Sequence, residues 1–344
     1  MRYKRIGNTG LAVSELCLGT NTFGGADQEF WKTLGGLDQD KVNAIVARAH
    51  EAGINFIDTA DTYSNGESEQ RVGQAIQDLK LRRDELVIAT KIGGRVGPAP
   101  NAAGSSRSHI LAAVEGSLRR LKVEYLDICM LHYFDPATPL EESLRTLDRL
   151  VQDGKVRYLG CSNFAAWETM KALGICAREG LERFEVIESH WSIATRELER
   201  EIVPLARDQK LGLLVWGPLL GGLLTGKFSR DSAGGAGESR SVGQVPSVLN
   251  RDRLFDVIDT LRSVANSRGV SPGQIALAWL LHQPAVTSVL FGSRTVAQLS
   301  DNVRAAEIKL SAEDLQTLDQ ATALTPDYGS WLVQFPRDDR RQLI

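Results

Sequence analysis

Four side chains of types that move protons sit where short apolar runs give way to polar ones. In NFIDTADTYSNGESE (55–69) the apolar run breaks off at Asp58, and Tyr63 follows on the next loop; LVIATK (86–91) ends in Lys91 and YLDICMLH (125–132) in His132. Taken singly, an Asp at a strand end caps a turn, and a loop Tyr packs with a wet hydroxyl. Taken together, the four suit one reaction. Asp58 and Lys91 can neutralise each other, which offsets the cost of burying either alone. A Lys beside a Tyr favours the phenolate and is expected to lower the phenol from its usual value of about 10. Such a tyrosine can protonate an oxygen when hydride arrives on the neighbouring carbon, which is the need of carbonyl reduction.

The elements that must position these groups repeat one theme: a short apolar run, a polar loop, then a helical pattern. The runs are ELCLGT (15–20), INFIDTA (54–60), LVIATK (86–91), YLDICMLH (125–132), VRYLGCSN (156–163), RFEVIESHW (183–191), LGLLVWGPL (211–219) and VTSVLFGS (286–293). Helical patterns occupy 39–52, 67–79, 106–121, 139–153, 165–179, 196–210, 251–281 in two pieces broken at Ser271-Pro272, and 295–306. Near-continuous apolar strands alternating this regularly with helices predict a closed parallel (β/α)8 TIM barrel in a single domain spanning 1–344, with an open doubly wound sheet as the alternative. In such a barrel the C-terminal strand ends form the functional face, which is where Asp58, Lys91, His132, Ser162 and Asn163 fall.

Three segments stand outside the repeat. RYKRIGNTGLAVS reads as a β-hairpin turning at Asn8 to Gly10 that plugs the N-terminal mouth. Residues 229–250 are Gly/Ser-rich without periodicity and read as a mobile lid loop. The tail, 325–344, carries Trp331 and Phe335 without a recognisable element.

Composition narrows the classes. The chain has 344 residues, a net charge of -3, 42% hydrophobic and 24% charged residues. It offers no basic field for a nucleic acid. No apolar run approaches the ~18 residues of a membrane span, and the start lacks a signal-peptide core, so a cytoplasmic location without a membrane partner is expected. Cys17, Cys129, Cys161 and Cys176 form no C-x-x-C pair and read as buried thiols. His50, His109, His190 and His282 show no metal-ligand spacing, so no metal is expected. GGLLTGK (221–227) imitates a phosphate loop, but Phe228 stands where Ser or Thr must hold magnesium. IGGRVG (92–97) is not a dinucleotide fingerprint.

Over nearly its whole length the chain resembles the aldo-keto reductase superfamily. FIDTADTYSNGESE is similar to the family's signature around its Asp and Tyr, IATK to the segment with its Lys, and LDICMLHYFDP to that with its His. YLGCSNF, GLLTGKF and FGSRTVAQLSDN are similar to its cofactor-binding segments. The flavour is nearest the branch holding bacterial aryl-alcohol-dehydrogenase-like enzymes and potassium-channel β-subunit-like proteins. The resemblance implies a barrel reductase using NADPH/NADP+ on a small-molecule carbonyl or alcohol. It makes Asp58, Tyr63, Lys91 and His132 the tetrad, with His132 orienting or protonating the substrate oxygen.

For the cofactor the resemblance implies Gly19, Thr20 and Asn21 after the first run, and Ser162 and Asn163 after the fifth. It adds Glu188 and Trp191 on the sixth run, and Trp216, Gly217, Pro218, Leu219, Gly221, Leu223 and Lys227 on the seventh run and its loop. Gly292, Ser293, Arg294, Gln298, Asp301 and Asn302 complete the set. GSRTVAQLSDN opens a helix, so its amides with Ser293 and Arg294 suit the 2'-phosphate, and the resemblance implies that Gln298 and Asn302 hold the adenine. The sixth run departs from the branch: Glu188 stands where Gln is common, and Trp191 where Tyr is. Trp191 is expected to stack on the nicotinamide. An ionised Glu188 could accept from the carboxamide but not donate to it. Trp216 and Gly217 replace a common Tyr-Ser pair. Phe23, Phe30, Trp31, Tyr133, Phe134 and Trp331 are expected to wall an apolar pocket over Tyr63, suited to an aromatic or polycyclic carbonyl. A regulatory NADPH-binding subunit is the alternative; the start almost directly at the hairpin, without an inactivation peptide, argues against it. A homo-oligomer stays open.

Overall fold

The computed structural model describes residues 1–228, 251–326 and 328–329. Two short strands, β1 (Tyr3–Arg5) and β2 (Ala12–Ser14), precede the parallel strands β3 (Leu16–Gly19), β4 (Phe56–Asp58), β5 (Val87–Ile92) and β6 (Leu126–Leu131). These are followed by β7 (Val156–Ser162), β8 (Phe184–His190), β9 (Gly212–Trp216) and β10 (Val286–Phe291). The parallel strands close in the order β10-β3-β4-β5-β6-β7-β8-β9, with β9 paired back to β10. The fold is a (β/α)8 barrel, and the open sheet is excluded.

Helices α1 (Glu29–Leu34), α2 (Gln39–Glu51), α3 (Glu67–Asp78), α4 (Arg107–Leu121), α5 (Leu140–Gln152) and α6 (Ala166–Glu179) follow the first five barrel strands. The chain continues through α7 (Ile202–Asp208), α8 (Arg251–Arg268), α9 (Pro272–Leu281), α10 (Val296–Val303) and α11 (Ala312–Ala321). On α5, Leu140, Leu144, Leu147 and Leu150 recur at helical spacing and are all buried, so one stripe packs on the strands. Ser271 accepts from the Gln274 amide while Gln274 caps back, and Pro272 occupies the first helical position, which is why the 251–281 pattern divides there.

Two apolar layers result. Between strands and helices lies the larger core. Inside the barrel, Cys17, Phe56, Val87, Ala89, Ile128, Met130, Val186 and Leu214 form a second, continued by Ile6 and Val13 of the β1–β2 hairpin. The hairpin is therefore the expected plug. Its close seating needs glycine on both sides. Gly7 has φ of +55°, and a Cβ there would stand 2.4 Å from the Glu185 carbonyl; a Cβ on Gly212 would stand 2.9 Å from the Gly7 nitrogen.

The structure departs from the pattern reading in detail. The helix expected over 196–210 is a short 3-10 turn, Glu197–Glu199, then α7. The one expected over 295–306 is α10 and a 3-10 turn, Arg304–Glu307. Neither α1 nor α11 was signalled by the apolar pattern. The 229–250 lid and Trp331 and Phe335 of the tail lie outside the described residues.

Candidate active site

Each functional side chain stands one inward step above the barrel's interior layer. Side chains alternate along a strand, so residues two apart share a face. Phe56 is followed by Asp58, Ala89 by Lys91, Met130 by His132, Val186 by Glu188 and Leu214 by Trp216. The ladder aligns these ends: Gly19 pairs with Asp58, Ile92 with Leu131 and Ser162 with Glu188, and the His132 amide donates to the Ile92 carbonyl at 2.8 Å.

Lys91 is the hub. Its Nζ donates to Asp58 Oδ2 at 2.5 Å, to the Thr59 carbonyl at 3.2 Å and to the Tyr63 hydroxyl at 3.4 Å. It also lies 3.4 Å from Glu188 Oε1. The Tyr63 ring meets the His132 ring edge-on at 5.9 Å, and His132 stacks on Tyr133 at 4.3 Å. The sequence-predicted tetrad is brought together, with Glu188 as a fifth member.

Tyr63 owes its placement to an unusual turn. Ser64, Asn65 and Gly66 have φ of 49°, 53° and 89° in succession, a left-handed run that costs a non-glycine residue about 1–3 kcal/mol. Hydrogen bonds from the loop after β3 hold it. Ser64 Oγ donates to the Phe23 carbonyl at 2.9 Å, Gln28 Nε2 to the Ser64 carbonyl at 3.2 Å, and the Gly25 amide to Glu67 Oε2 at 2.7 Å. Asn163, itself left-handed at φ 57°, ties the opposite side of the mouth. Its amide donates to the Glu188 carbonyl, its Nδ2 to the His132 carbonyl at 3.2 Å, and its Oδ1 accepts from Trp216 Nε1 at 3.0 Å.

The electrostatics correct one expectation. Tyr63 is raised above the ordinary phenol value, not lowered: burial outweighs Lys91, and the Asp58 and Glu188 charges add to burial. Two carboxyls bracket the ammonium, so less of its field reaches the phenol. Tyr63 therefore carries its proton at neutral pH. Burial alone would discharge Lys91, but Asp58 and then Glu188 hold it well above its usual value and charged. Burial, then the Lys91 charge, push His132 down to about 3, so its imidazole is neutral near pH 7. Asp58 and Glu188 are both raised, chiefly by burial; Lys91 opposes this for Asp58, and the Asp58 charge adds to it for Glu188.

A cavity of about 990 Å³ opens over this floor. Of the residues anticipated for a cofactor, Gly19, Thr20, Asn21, Asn163, Glu188, Trp216, Gly217, Pro218, Leu219, Gly221 and Lys227 line it. So do Gly292, Ser293, Arg294, Gln298, Asp301 and Asn302 at the far end. Three do not. Trp191, directly after β8, continues its odd, outward register, packs edge-on against Trp279 at 5.9 Å and donates from Nε1 to Glu199, so it cannot stack on a nicotinamide. Ser162 is covered by Asn163, whose Nδ2 donates to its Oγ at 3.0 Å. Leu223 turns into the core.

Among the residues anticipated for substrate, Tyr133 lines the cavity, half exposed. Phe23 is fully buried in the core, and the exposed Phe30 lines the cavity in its place. Trp31 stands behind, its ring 6.0 Å from that of Tyr63. Phe134 turns outward onto Phe164 and Trp167. Sequence reasoning missed Thr22, Leu34, Ser271, Gly273 and Leu290, and did not single out Gly222, Thr225, Phe228, Phe291 and Ala297 within the cofactor segments it named. Phe291 and Leu290 precede the GSR segment directly, and Gly222, Thr225 and Phe228 lie in the GGLLTGKF loop, so proximity to the motifs was the available signal.

The donors present fit a dinucleotide. Asp58 Oδ1, Glu188 Oε2, His132 Nδ1 and Ser293 Oγ are buried without a hydrogen-bond partner. Unmet polar atoms at one cavity are what a polar ligand would satisfy. Gly221 and Gly222 adopt φ of 62° and 104°, and a Cβ on Gly222 would meet nothing within 4 Å, so this loop presents bare backbone to the cavity. Arg294 donates from Nη2 to the Thr33 carbonyl at 2.6 Å and from Nε to the Leu34 carbonyl at 3.3 Å, tying α1 to the start of α10. Among the described residues no three His, Cys, Asp or Glu side chains are placed to hold a metal ion, and no helix is long and apolar enough to cross a membrane.

Comparison with known proteins gives the family of the chain. The model of the aldo/keto reductase family matches residues 15–323. The chain is 34% identical over 314 residues to a protein of Arabidopsis thaliana named "Probable voltage-gated potassium channel subunit beta", covering 90% of this chain and 92% of that one. It is 32% identical over 339 residues to versiconal hemiacetal acetate reductase of Aspergillus parasiticus, covering 93% and 96%. It is 34% identical over 328 residues to norsolorinic acid reductase of Aspergillus flavus, covering 93% and 81%. The chain belongs to the aldo/keto reductase family and is an oxidoreductase of that class, whose members use NAD(P)H to interconvert carbonyls and alcohols.

Proposed function

We propose that this protein reduces aromatic aldehydes or ketones with NADPH, using Tyr63 as the general acid. The observation that carries the reading is the Lys91 ammonium, held 2.5 Å from Asp58 and 3.4 Å from the Tyr63 hydroxyl at the floor of a large cavity. Bound NADPH supplies the hydride. The protein supplies the rest. Tyr63 donates its proton to the substrate oxygen as charge develops there, and Lys91 stabilises the phenolate left behind. Neutral His132 can donate one ring N–H to the same oxygen, which orients the carbonyl without changing charge. Asp58 keeps Lys91 charged and fixed.

The choice of NADPH over NADH rests on Ser293 and Arg294 at the entrance to α10, with Lys227 on the facing loop. Trp216, 38% exposed at the cavity wall, takes the stacking role expected of Trp191. Phe30, Tyr133 and Trp216 give the rim an aromatic character suited to a flat substrate. Two relatives named as reductases, of versiconal hemiacetal acetate and of norsolorinic acid, support turnover as the main role. The test is NADPH consumption over a panel of aromatic and aliphatic carbonyls. Turnover confined to small aliphatic or charged substrates would sink the substrate class, and faster turnover with NADH would sink the cofactor choice. A relative named as a channel subunit supports a second, regulatory reading. Capture of a membrane-fraction partner together with negligible turnover on the whole panel would favour it.

A further inference from the structure

The floor of the cavity holds two acids and one ammonium, all buried. Lys91 Nζ lies 2.5 Å from Asp58 Oδ2 and 3.4 Å from Glu188 Oε1. Both carboxyls thus stand against the same buried ammonium. Yet Asp58 Oδ1 and Glu188 Oε2 are both buried without a donor. With both ionised, the trio would carry a net negative charge where burial is expensive. One proton between the acids removes that charge.

We propose that Asp58 and Glu188 share one proton across Lys91, and that the pair gives this proton up when a cationic, oxidised nicotinamide occupies the cavity. The second half rests on the dinucleotide reading above. The ring must lie at the Tyr63 end, because hydride has to reach the carbon whose oxygen Tyr63 protonates. Glu188 lines the cavity there with Asp58, Tyr63 and Trp216. A unit positive charge within a few ångströms favours the ionised carboxylate, whereas the neutral reduced ring does not. In the release, the O–H bond of the shared acid breaks, its electron pair stays on the carboxylate oxygen and the proton passes to solvent; nothing is oxidised or reduced.

The other groups facing the pair do not offer that proton. Lys91 on β5 is held charged. Tyr63 is raised above the ordinary phenol value by burial. On β3, Cys17 is raised well above the usual thiol value, chiefly by burial and then by Asp58 and Glu188. After β6, His132 is already neutral, and Tyr133 is raised, chiefly by burial. Both acids of the pair are raised by burial, which agrees with the protonated state.

Infrared difference spectroscopy reads the shared acid directly through the C=O stretch of a protonated carboxyl. Near neutral pH the cofactor-free protein should show this band, and both Glu188→Gln and Asp58→Asn should lose it, because either acid left alone with Lys91 ionises. Asp61, a separate buried acid raised to about 8, should keep its own band in all three and serves as the reference. Persistence of the pair's band in Asp58→Asn would mean that Glu188 alone holds the proton, and would overturn the sharing. Its absence from the wild-type protein would overturn the proton itself. Adding NADP+ should abolish the band and, by calorimetry in buffers of different ionisation heat, release up to about one proton per site, while NADPH should do neither. An unchanged band with NADP+ shown to be bound would overturn the linkage alone. Failure of both cofactors to bind would overturn the dinucleotide reading and the linkage together, and the band in the free protein would still decide the sharing.

Discussion

The same eight strands make both ends of the barrel, yet the ends treat polar atoms in opposite ways. At the N-terminal end the hairpin inserts Ile6 and Val13 into the interior core, and the polar groups around them are paired: Lys4 Nζ donates to the Val286 carbonyl at 2.7 Å, and Arg2 bonds Glu15 through Nε at 2.8 Å. At the C-terminal end the inward positions hold Asp58, Lys91, His132 and Glu188, and buried polar atoms are left unmet. One inward step along each strand separates an apolar layer from a reactive one. The comparison assigns stability chiefly to the plugged end and chemistry to the open one, and it can be broken from either side.

The largest effect belongs to the open end. Tyr63→Phe keeps the ring and removes the proton, so carbonyl reduction should fall by about 10² to 10⁴, while NADPH affinity and urea stability barely move. Near-normal turnover, measured under saturating substrate, would dissolve the tetrad. From the plugged end, Ile6→Ala should cost about 2–5 kcal/mol in urea denaturation and leave turnover per folded molecule unchanged. A fall in turnover with intact stability would show that the two ends are not separable in this way.

Arg294→Ala sharpens the account of the mouth. Loss of a charge-assisted bond to the 2'-phosphate should weaken NADPH by about 1.5–3 kcal/mol and NADH much less. Because Arg294 also holds the Thr33 and Leu34 carbonyls, equal weakening of both cofactors would mean that it acts by anchoring α1.

The smallest change is a slope. Neither Asp61 oxygen has a hydrogen-bond partner, and burial, then the Glu69 charge, raise the carboxyl from 3.8 to about 8. The folded state then holds a proton that the unfolded chain releases at a lower pH. The stability this contributes is fully present below about pH 4 and is lost as pH rises towards 8. Against wild type, Asp61→Asn should remove up to about 1.4 kcal/mol per pH unit of this fall. Parallel stability curves for the two proteins would refute it.

Much of this was legible in the sequence because strand ends in a barrel converge by construction. Asp58, Lys91 and His132 each close an apolar run, and Tyr63 follows one, so the four could be placed together from the pattern alone. What failed were matters of facing and field. The family resemblance puts Trp191 in the cavity, but counting by twos from Val186 reaches Glu188 and His190 and leaves Trp191 outward. The sequence offers both Phe23 and Phe30 for the rim, and only Phe30, further along the same loop, reaches it. The fall expected for the Tyr63 phenol assumed one carboxylate beside Lys91, and the sequence does not show that Glu188 supplies a second. α11 opens with Ser311 and Asp314 in a reciprocal cap, a readable signal, but few buried side chains support it. α1 buries only Leu34, so no apolar period announced it.

Trp216 gives the molecule an optical handle on its own cavity. Of six tryptophans in the chain, Trp191 and Trp279 pack together in dry core and should emit at the blue edge whatever the cavity contains. Trp216 stands at the wall with its ring 4.6 Å from that of His190 and its Nε1 on Asn163, partly in solvent. A flat ligand seated on that indole would quench its emission or shift its colour. Occupancy of the cavity could then be followed in unlabelled protein, with Trp216→Phe as the blank.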